Sequence, residues 1–459
     1  MLHELWGEPA VERVATSVST GLGCDEQVVV VGIKAAEVAR VLGKRIGRLF
    51  AYQESLVTGQ PAGTGDAVMV ALQSFAPDAD RDVYVFLGDM ALLTPAGVAS
   101  FRKAFEADRC DMLILTGAYT GPAEQNYYGR IVRVPARDES GASSGADAGK
   151  VIEILEYQDV LSLGQDERRV VEYSGRRYSF ERDDLLGCRE INTGVFAFAE
   201  SSLRESIEQL NTDNAQGEYL LTDIVDILNR GGRVVRAVMA SSEEEILAFN
   251  TKSVLRQMED VARHRAYEQL MDVVTIADPG DFFIATSVVE ELLRIDAEAG
   301  PLEIVFGKGV HVGAGVRLAP CVTIGDRSRL SGQVSLGAGT KVGRDCSLDA
   351  GAYEIEIDQA ATIGDRVTLH GAVHVGSRAT LGDGIRVSGT GQARTSLGDQ
   401  CLIAGRTHVE SCLVAAGARI EHCLLVRQRV ATERTPDGNA IPIRYQQPAP
   451  EGTAALSSL

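Results

Sequence analysis

The fold of the second half of the chain is decided by the stretch VHVGAGVRLAPCVTIGDRSRLSGQVSLGAGTKVGRDCSL, residues 310–348. In this stretch an aliphatic residue recurs every six positions, and the same period returns between residues 363 and 426. A surface helix would need a spacing of about 3.6 residues, and an ordinary strand would show strict alternation. A six-residue period is typical of a hexapeptide β-helix, in which the aliphatic side chains point into a triangular prism. The predicted inward positions are Val312, Leu318, Ile324, Leu330, Leu336, Val342, Leu348, Ile363, Leu369, Val375, Leu381, Val387, Leu397, Ile403, Val409, Val414, Ile420 and Val426.

Small residues follow many of these positions, as Gly325 and Gly343 do. We expect them at the corners of the prism, because glycine tolerates tight backbone bends. The period breaks at residues 349–362 and 388–396, which are predicted to be loops extruded from corners. The repeat defines an architecture and not a chemistry, since stacked solenoids carry many unrelated functions.

The first half of the chain predicts an α/β fold, because short β-branched runs alternate with helical patterns. Thr94 is placed to cap a helix that has Pro95 at its first position. Thr251 is placed to cap a charged connecting helix over residues 252–270. Residues 136–149, which are rich in Ser, Gly, Ala and Asp, predict a disordered hairpin tip. The predicted strands are Gln27–Ile33, Asp82–Leu87, Met112–Thr116, Gly129–Val134, Lys150–Leu155, Gly194–Phe198 and Arg233–Val238.

Composition and net charge argue against several classes of function. The chain has 459 residues and a formal net charge of −19, which argues against non-specific nucleic-acid binding because that needs basic patches. No apolar run approaches the ~18 residues of a membrane span, and the N-terminus shows no signal-peptide pattern. The eight cysteines form no CxxC pair, so they predict reduced thiols in the cytoplasm. Of these, Cys346 and Cys401 are expected to pack as small hydrophobic side chains.

Four polar strings in the first half are candidates for chemistry. Residues 59–67, GQPAGTGDA, form a glycine-rich turn before a helix, where backbone groups can approach a ligand or simply turn the chain. Asp89 follows a predicted strand, and a carboxylate there can hold Mg²⁺ or cap a turn. The strings EINTG at 190–194 and NAQGEYLLTD at 214–223 offer amides for sugar hydroxyls or for helix caps. Each string alone leaves both interpretations open.

Together the strings occur in the order and approximate spacing of one family. About the first 270 residues resemble the bifunctional N-acetylglucosamine-1-phosphate uridylyltransferase/glucosamine-1-phosphate acetyltransferase family, the GlmU type, in which a solenoid also follows. The run Asn214–Tyr219 is the most specific match, because it is typical of N-acetylglucosamine uridylyltransferases rather than of sugar nucleotidyltransferases generally. The matching segments are Met1–Pro9, Gly63–Gly65, Gly88–Asp89, Tyr128–Arg130, Glu156, Ile191–Gly194, Asn214–Asp223 and Asn250.

The resemblance implies an α/β nucleotidyltransferase domain of the Rossmann-like GT-A type, followed by a left-handed parallel β-helix of hexapeptide repeats. It implies Mg²⁺-dependent attack of N-acetylglucosamine-1-phosphate on the α-phosphorus of UTP with release of pyrophosphate, by a homotrimer assembled through the β-helix. The predicted domains are 1–250 (nucleotidyltransferase, N-terminally incomplete), 251–302 (linker helix and connector), 303–431 (β-helix) and 432–459 (irregular tail). The residues that match the family's contacts are Gln60, Gly63 and Thr64 for uridine, Gly129, Glu156 and Asn192 for the sugar, and Asp89 and Asn250 for Mg²⁺.

Two departures from the family pattern bear on activity. The family's opening glycine-rich phosphate loop, which supplies a catalytic Arg and Lys, is absent, so we assign no catalytic residue within the chain. We expect a misassigned start or a truncation, with a true pseudoenzyme as the alternative. The solenoid lacks the motifs Arg-Pro-Gly, Asn-Phe-Val-Glu-x-Lys and Asn-Tyr-Asp-Gly, so we predict no acetyl transfer and interpret His370 and His374 as structural, with acid/base chemistry as the alternative.

Two further functions stay open at this point. One is a sugar-1-phosphate nucleotidyltransferase with another base or sugar, and the other is a non-catalytic scaffold that binds a sugar nucleotide.

Overall fold

The computed structural model of the chain describes residues 2–59, 61–78, 80–249 and 251–448. The chain divides into two compact units, Met1–Met258 and Glu259–Leu459. Two predicted site residues, Gln60 and Asn250, lie outside the described residues. Within the described part of the chain, no helix is long and apolar enough to cross a membrane.

A six-stranded mixed sheet forms the centre of the first unit. Its strand Met112–Ala118 is almost wholly buried and lies between a parallel neighbour, Val235–Met239, and an antiparallel one, Glu190–Ala199. The strand Glu190–Ala199 also pairs antiparallel with Asp82–Val85, and through Ile191 it meets Arg130. Arg130 begins an antiparallel pair of strands, Arg130–Arg133 and Val151–Leu155, at the side of the sheet.

Three two-stranded sheets also form in the described part of this unit. Arg48–Tyr52 pairs parallel with Gln27–Val31, and the hairpin of Arg168–Tyr173 and Arg176–Glu181 is antiparallel, as is the pair Glu4–Leu5 and Glu8–Pro9. The sequence predicts neither Arg48–Tyr52 nor the hairpin, because arginines mixed with apolar residues show no clean alternation. The α-helices of the described chain are Ala10–Leu22, Ala35–Leu42, Ser55–Thr58, Thr64–Leu72, Pro95–Ala107, Tyr157–Ser162, Arg182–Gly187, Glu200–Ile207, Ile224–Arg230, Lys252–Leu270 and Thr286–Ala299, and the short 3₁₀ turns are Ala123–Gln125, Gly145–Asp147 and Leu221–Asp223.

Both predicted helix caps are confirmed. The Thr94 hydroxyl oxygen accepts the N–H of Gly97 at 3.0 Å, and Pro95 opens the helix behind it. The Thr251 hydroxyl oxygen accepts the N–H of Val254 at 3.3 Å at the start of the helix Lys252–Leu270. Each cap satisfies a backbone donor that the first turn of a helix leaves without an intrahelical partner.

The segment 136–149 is an ordered turn, so the prediction of a disordered tip is wrong. One carboxylate oxygen of Asp138 accepts the backbone N–H groups of Ser140 and Ala142, at 3.0 Å each. The Tyr178 hydroxyl lies 3.3 Å from that of Ser144 and ties the turn to the neighbouring hairpin. Composition alone does not reveal such order, because Asp and Ser can form local turns as readily as they favour solvent.

Parallel strands of the second unit stack into a β-helix, as predicted. Arg329 pairs with Ser347, 18 residues later, so three six-residue repeats complete one turn. In the part of this unit that the structure describes, nine strands stack on one face. Thirteen form a second sheet, because Arg329–Leu336 and Ser347–Ile357 run through a corner of the prism. The strands are Thr275–Ile276, Phe282–Ile284, Val305–Phe306, Val310–Val312, Arg317–Leu318, Thr323–Ile324, Arg329–Leu336, Lys341–Val342, Ser347–Ile357, Thr362–Ile363, Thr368–Gly371, Val373–Val375, Thr380–Leu381, Arg386–Gly389, Thr395–Leu397, Leu402–Ala404, His408–Glu410, Leu413–Val414, Arg419–Glu421, Leu424–Val426, Arg429–Val430 and Pro442–Arg444.

Burial confirms the six-residue period. Every predicted inward position from Val312 to Ile420 is buried. The prediction for Val426 is wrong, because Leu425 pairs with Val409 and points inward in its place. Cys346 and Cys401 are buried as predicted, and burial raises the pKa of the Cys401 thiol to about 12.

At two corners, glycine is required by contact with the next turn of the β-helix and not by a backbone bend. A Cβ on Gly325 would lie 2.6 Å from the carbonyl carbon of Gly343, and a Cβ on Gly343 would lie 2.6 Å from that of Gly364. The left-handed bends are taken two residues later by Arg327 and Asp345, each with a φ of 56°. The expectation that glycine serves the bends is therefore wrong at these corners.

Both predicted breaks in the period are insertions at the surface. Residues 351–354 are exposed in the first, and residues 390–392 are exposed in the second. The stretch after residue 432 differs from the predicted irregular tail, because Pro442–Arg444 pair parallel with Arg419–Glu421 and extend the stack. A turn closed by a bridge between Arg434 and Ala440 precedes this strand. This turn interrupts the six-residue period and so hides it in the sequence.

Replacing Gly343 with Ala is expected to lower the free energy of unfolding by about 1–3 kcal/mol, because the new methyl group would overlap the backbone of the next turn. The matched control is Gly382→Ala, where a Cβ would meet its nearest atom, the Ile403 carbonyl oxygen, at 3.4 Å. Urea unfolding of both variants measures the difference. Equal stability of the two variants would contradict the contact requirement.

Candidate active site

The three candidate sugar residues meet at one end of the strand pair Arg130–Arg133 and Val151–Leu155. Gly129 precedes the first strand and Glu156 follows the second, and the two strands run antiparallel. The Asn192 N–H donates to the Gly129 carbonyl oxygen at 2.9 Å. A Cβ on Gly129 would lie 3.1 Å from a carboxylate oxygen of Glu156, so glycine keeps this approach open.

The polar groups of this cluster suit a ligand with hydroxyl and amide groups. Burial raises the pKa of Glu156, and the charge of Arg130 opposes that shift more weakly. The Asn192 side-chain oxygen accepts the N–H of Gly194 at 3.0 Å. The amide of Asn192 also carries two N–H donors, and the Glu156 carboxylate accepts hydrogen bonds, so the pair can recognise both donors and acceptors of a sugar.

Arg130 fixes the loop that carries Gly129. Its side chain is fully buried and donates to the side-chain oxygen of Asn126 at 3.2 Å and to the carbonyl oxygen of Asn126 at 2.7 Å. It also donates to the carbonyl oxygen of Tyr128 and lies over the ring of Tyr157, 5.5 Å from the ring centroid. In the sequence Arg130 is only one member of a matching string, and a single arginine on a strand gives no sign that it will be buried.

The predicted uridine turn is clamped to the 214–223 string. Gly63 has a φ of 113°, and a Cβ there would clash with the carbonyl oxygen of Tyr219. That oxygen accepts the N–H of Gly65 at 2.8 Å, and the Tyr219 N–H donates to the carbonyl oxygen of Ala62 at 2.7 Å. The turn and the string are thus joined by two backbone hydrogen bonds on either side of Gly63.

Side chains hold the same turn from two further directions. Thr64 begins the helix Thr64–Leu72, and its hydroxyl oxygen accepts the N–H of Leu221 at 3.0 Å. The Gln53 amide donates to the carbonyl oxygen of Gly63 at 3.1 Å. A hydroxyl that accepts a hydrogen bond still has its own proton to donate, so Thr64 keeps a donor for a ligand.

Asp89 lies in the loop that follows the strand Asp82–Val85. Its Oδ1 atom is buried with no hydrogen-bond partner among the described residues, and burial raises the pKa of the carboxyl group. The Asp89 carbonyl oxygen accepts the N–H of Phe249 at 3.3 Å, so the chain immediately before Asn250 lies beside Asp89. A buried carboxylate oxygen without a partner fits a site that a cation completes.

A single protein carboxylate is compatible with Mg²⁺. Among the described residues, no group of three or more His, Cys, Asp and Glu side chains could hold a metal ion. Mg²⁺ usually keeps several waters and binds through one or two carboxylates together with substrate phosphates. The pKa of Tyr128, which directly precedes Gly129, is raised mainly by burial and also by Tyr119 and the Asp89 carboxylate.

Asp223, the last residue of the 214–223 string, has no individual role predicted from the sequence, and its charge raises the pKa of Glu156. The pKa of Asp223 is raised to about 6, mainly by burial and then by the charges of Asp159 and Glu153. Glu153 forms an ion pair with Arg169. Asp223 is more than 60 positions from Glu153, Glu156 and Asp159, so no spacing rule could have grouped it with them.

The two β-helix histidines each lie beside a carboxylate. His370 Nδ1 is 3.5 Å from an oxygen of Asp349, and His374 Nε2 is 3.1 Å from an oxygen of Asp358. Such pairs between stacked turns support the structural interpretation of both histidines, which stays a prediction.

The fold and the site together define a class of protein, an α/β nucleotidyltransferase unit followed by a parallel β-helix. The chain is 30% identical over 398 residues to bifunctional protein GlmU of Acetivibrio thermocellus, which covers 84% of this chain and 74% of that protein. It is 29% identical over 395 residues to bifunctional protein GlmU of Heliobacterium modesticaldum, with the same shares covered. The chain belongs to the GlmU family, and the predicted fold class is confirmed.

Comparisons with family models and with solved structures do not add to this family assignment. A scan of protein-family models finds no match for the chain. The crystal structure of UDP-glucose pyrophosphorylase complexed with UDP-glucose is similar to the chain with a TM-score of 0.39 and 10% identity, over 57% of this chain and 90% of that one. A likeness of that size supports no conclusion about fold or function.

The raised pKa of Asp223 predicts a pH-dependent stability. Because the folded state binds this proton more tightly than the unfolded state, the stabilising contribution is full below about pH 4 and is lost as the pH rises through about 6. The variant Asp223→Asn does not titrate, so its unfolding free energy should rise relative to the original protein between pH 4 and pH 7.5. We expect about 1 kcal/mol after allowance for solvent screening, measured by urea unfolding. A difference that stays constant across this range would contradict the shift.

Proposed function

We propose that the chain is an Mg²⁺-dependent N-acetylglucosamine-1-phosphate uridylyltransferase. The observation that carries the proposal is the convergence of Gly129, Glu156 and Asn192 at one strand end, in a chain of the GlmU family. The buried Oδ1 atom of Asp89, which has no hydrogen-bond partner among the described residues, supports the metal dependence.

On this proposal the chain acts by holding two substrates in line. A phosphate oxygen of the sugar phosphate attacks the α-phosphorus of UTP, and the bond to pyrophosphate breaks. Glu156 and Asn192 bind the hydroxyl and acetamido groups of the sugar, and the Gly63 turn binds the uracil edge. Asp89 and Asn250 would hold Mg²⁺, which when bound neutralises phosphate charge. Correct placement of the two reactants is itself a large part of such catalysis.

The direct test uses the purified protein with UTP, N-acetylglucosamine-1-phosphate and MgCl₂, followed by chromatography for the sugar nucleotide and an assay for pyrophosphate. Formation of both products in equal amounts would support the proposal. Preference for another nucleotide or sugar in a panel would replace the proposed substrates. Binding of UDP-N-acetylglucosamine without turnover would favour a non-catalytic scaffold.

The proposal also includes a cellular location and an oligomeric state. We infer a cytoplasmic homotrimer assembled through the β-helix, with no acetyltransferase activity. All eight cysteines are free thiols, which supports a reducing compartment. Light scattering of the purified protein tests the trimer, and incubation with acetyl-CoA and glucosamine-1-phosphate tests the absence of acetyl transfer.

Replacing Glu156 with Gln should weaken sugar binding specifically. Removal of a charged acceptor from a sugar hydroxyl is expected to raise the KM for N-acetylglucosamine-1-phosphate about 10-fold or more, while the KM for UTP changes less than about twofold. The control Glu172→Gln removes an exposed carboxylate from the nearby hairpin. Steady-state kinetics with each substrate varied in turn measures both constants, and an equal rise in both would contradict the assignment.

Replacing Asp89 with Asn should impair the metal-dependent step. We expect kcat/KM to fall about 100-fold or more, because metal stabilisation of phosphate charge contributes several kcal/mol. A second measurement is independent of turnover: Mn²⁺ binding in the presence of UTP, followed by electron paramagnetic resonance, should weaken. The control is Asp82→Asn at the start of the preceding strand, where the carboxylate pairs with Arg109. Mn²⁺ affinity that is unchanged in Asp89→Asn would remove Asp89 from the metal site.

A further inference from the structure

The sugar and uridine ends of the site are connected by one continuous series of contacts. It begins at the helix Tyr157–Ser162, which follows directly on Glu156. The N–H groups of Asp159 and Val160 both donate to the carbonyl oxygen of Glu156, at 3.0 and 3.1 Å, and Val160 is fully buried. This helix is therefore anchored to the residue that carries the sugar-binding carboxylate.

Asp159 extends the series to the 214–218 turn. A carboxylate oxygen of Asp159 accepts the N–H of Ala215 at 2.9 Å, although the two residues are 56 positions apart. Hydrogen bonds to a carboxylate are among the stronger ones in proteins, so this bond can hold a turn that is otherwise exposed.

The 214–218 turn is closed by its own hydrogen bonds. The side-chain oxygen of Asn214 accepts the N–H groups of Gln216 and Glu218 at 3.1 and 3.3 Å. Its amide donates to the carbonyl oxygen of Glu218 at 2.7 Å, and its carbonyl oxygen accepts the N–H of Gly217 at 3.1 Å. Four bonds to one residue make the turn a small hydrogen-bonded unit.

The chain that follows the 214–218 turn is hydrogen-bonded to the predicted uridine turn. Tyr219 follows Glu218 directly and exchanges backbone hydrogen bonds with Ala62 and Gly65, and Leu221 donates to Thr64. The contacts therefore run from Asp159 through Ala215 and the 214–218 turn to the turn that carries Gly63.

We propose that Asp159 is a positioning residue that sets the distance between the uridine turn and the sugar cluster through Ala215 and the 214–221 segment. This inference rests on the proposed function for its kinetic consequences, and it rests on the contacts alone for its structural ones. It assigns to Asp159 a role in both substrate sites without contact with either substrate.

The test compares Asp159→Ala with Asp159→Asn, because Asn keeps an oxygen that can accept the Ala215 N–H and Ala does not. In Asp159→Ala, amide hydrogen exchange of Gly65, Tyr219 and Leu221 should become about 10-fold faster, the effect of losing one hydrogen bond to a charged group. In Asp159→Asn it should stay within about threefold of the original protein. The control is Asp166→Ala, which removes an exposed carboxylate from the turn after the same helix.

The kinetic readout separates positioning from general destabilisation. Asp159→Ala should raise the KM for UTP and the KM for the sugar phosphate together, by about 3–10-fold, with kcat within about threefold and with rescue by Asn. Exchange rates in 62–65 and 218–221 that are unchanged in Asp159→Ala would overturn the inference, as would a rise in only one KM. If the original protein shows no turnover, the proposed function fails, whereas the exchange experiment still decides the role of Asp159.

Discussion

The site depends on one close approach between two stretches of backbone, at Gly63 and Tyr219. The carbonyl oxygen of Tyr219 occupies the space that any side chain at position 63 would need, and the φ of Gly63 is in the region that favours glycine. Because the backbones touch, Gly65 and Ala62 can bond to Tyr219, and Thr64 can bond to Leu221. A larger residue at position 63 would separate these partners together and leave several backbone groups without hydrogen bonds.

The same use of glycine recurs elsewhere for the same steric reason. Gly129 leaves room for the Glu156 carboxylate, and Gly343 leaves room for the next turn of the β-helix. At neither of these two positions does the backbone adopt a positive φ. Glycine thus serves close packing in both units, and at Gly63 alone of these three it serves packing and conformation at once.

How much the sequence predicts depends on the separation of the interacting residues. The six-residue period can be recognised in the sequence because each inward residue, such as Leu330, pairs with an equivalent residue 18 positions later. The helix caps at Thr94 and Thr251 can be predicted because each cap hydrogen bond joins residues three positions apart. By contrast, the bond between Asp159 and Ala215 joins residues 56 positions apart, and nothing in the spacing of either segment marks the other.

The resemblance to the GlmU family predicted some residues of the candidate site, and the remaining features appear only in the folded structure. Gly129, Glu156 and Asn192 were assigned from matching strings, and the structure brings all three together. The burial of Arg130 and the raised pKa of Asp223 could not be predicted, because burial is a property of the assembled fold.

On the proposed function, the charges around Glu156 would orient the sugar phosphate. Burial raises the pKa of Glu156, and the charges of Asp159 and Asp223 add to that shift. Burial also raises the pKa of Asp223, and the charge of Asp159 again adds to the shift. A phosphate dianion placed among them would meet the same repulsion, whereas sugar hydroxyls donate hydrogen bonds to carboxylates. On the proposed function, the hydroxyl edge of the sugar therefore faces Glu156, and its phosphate faces Asp89, where a divalent cation offsets the charge. The charge of Arg130 only weakly opposes the raised pKa of Glu156, and its guanidinium donates to Asn126 and Tyr128 inside the fold.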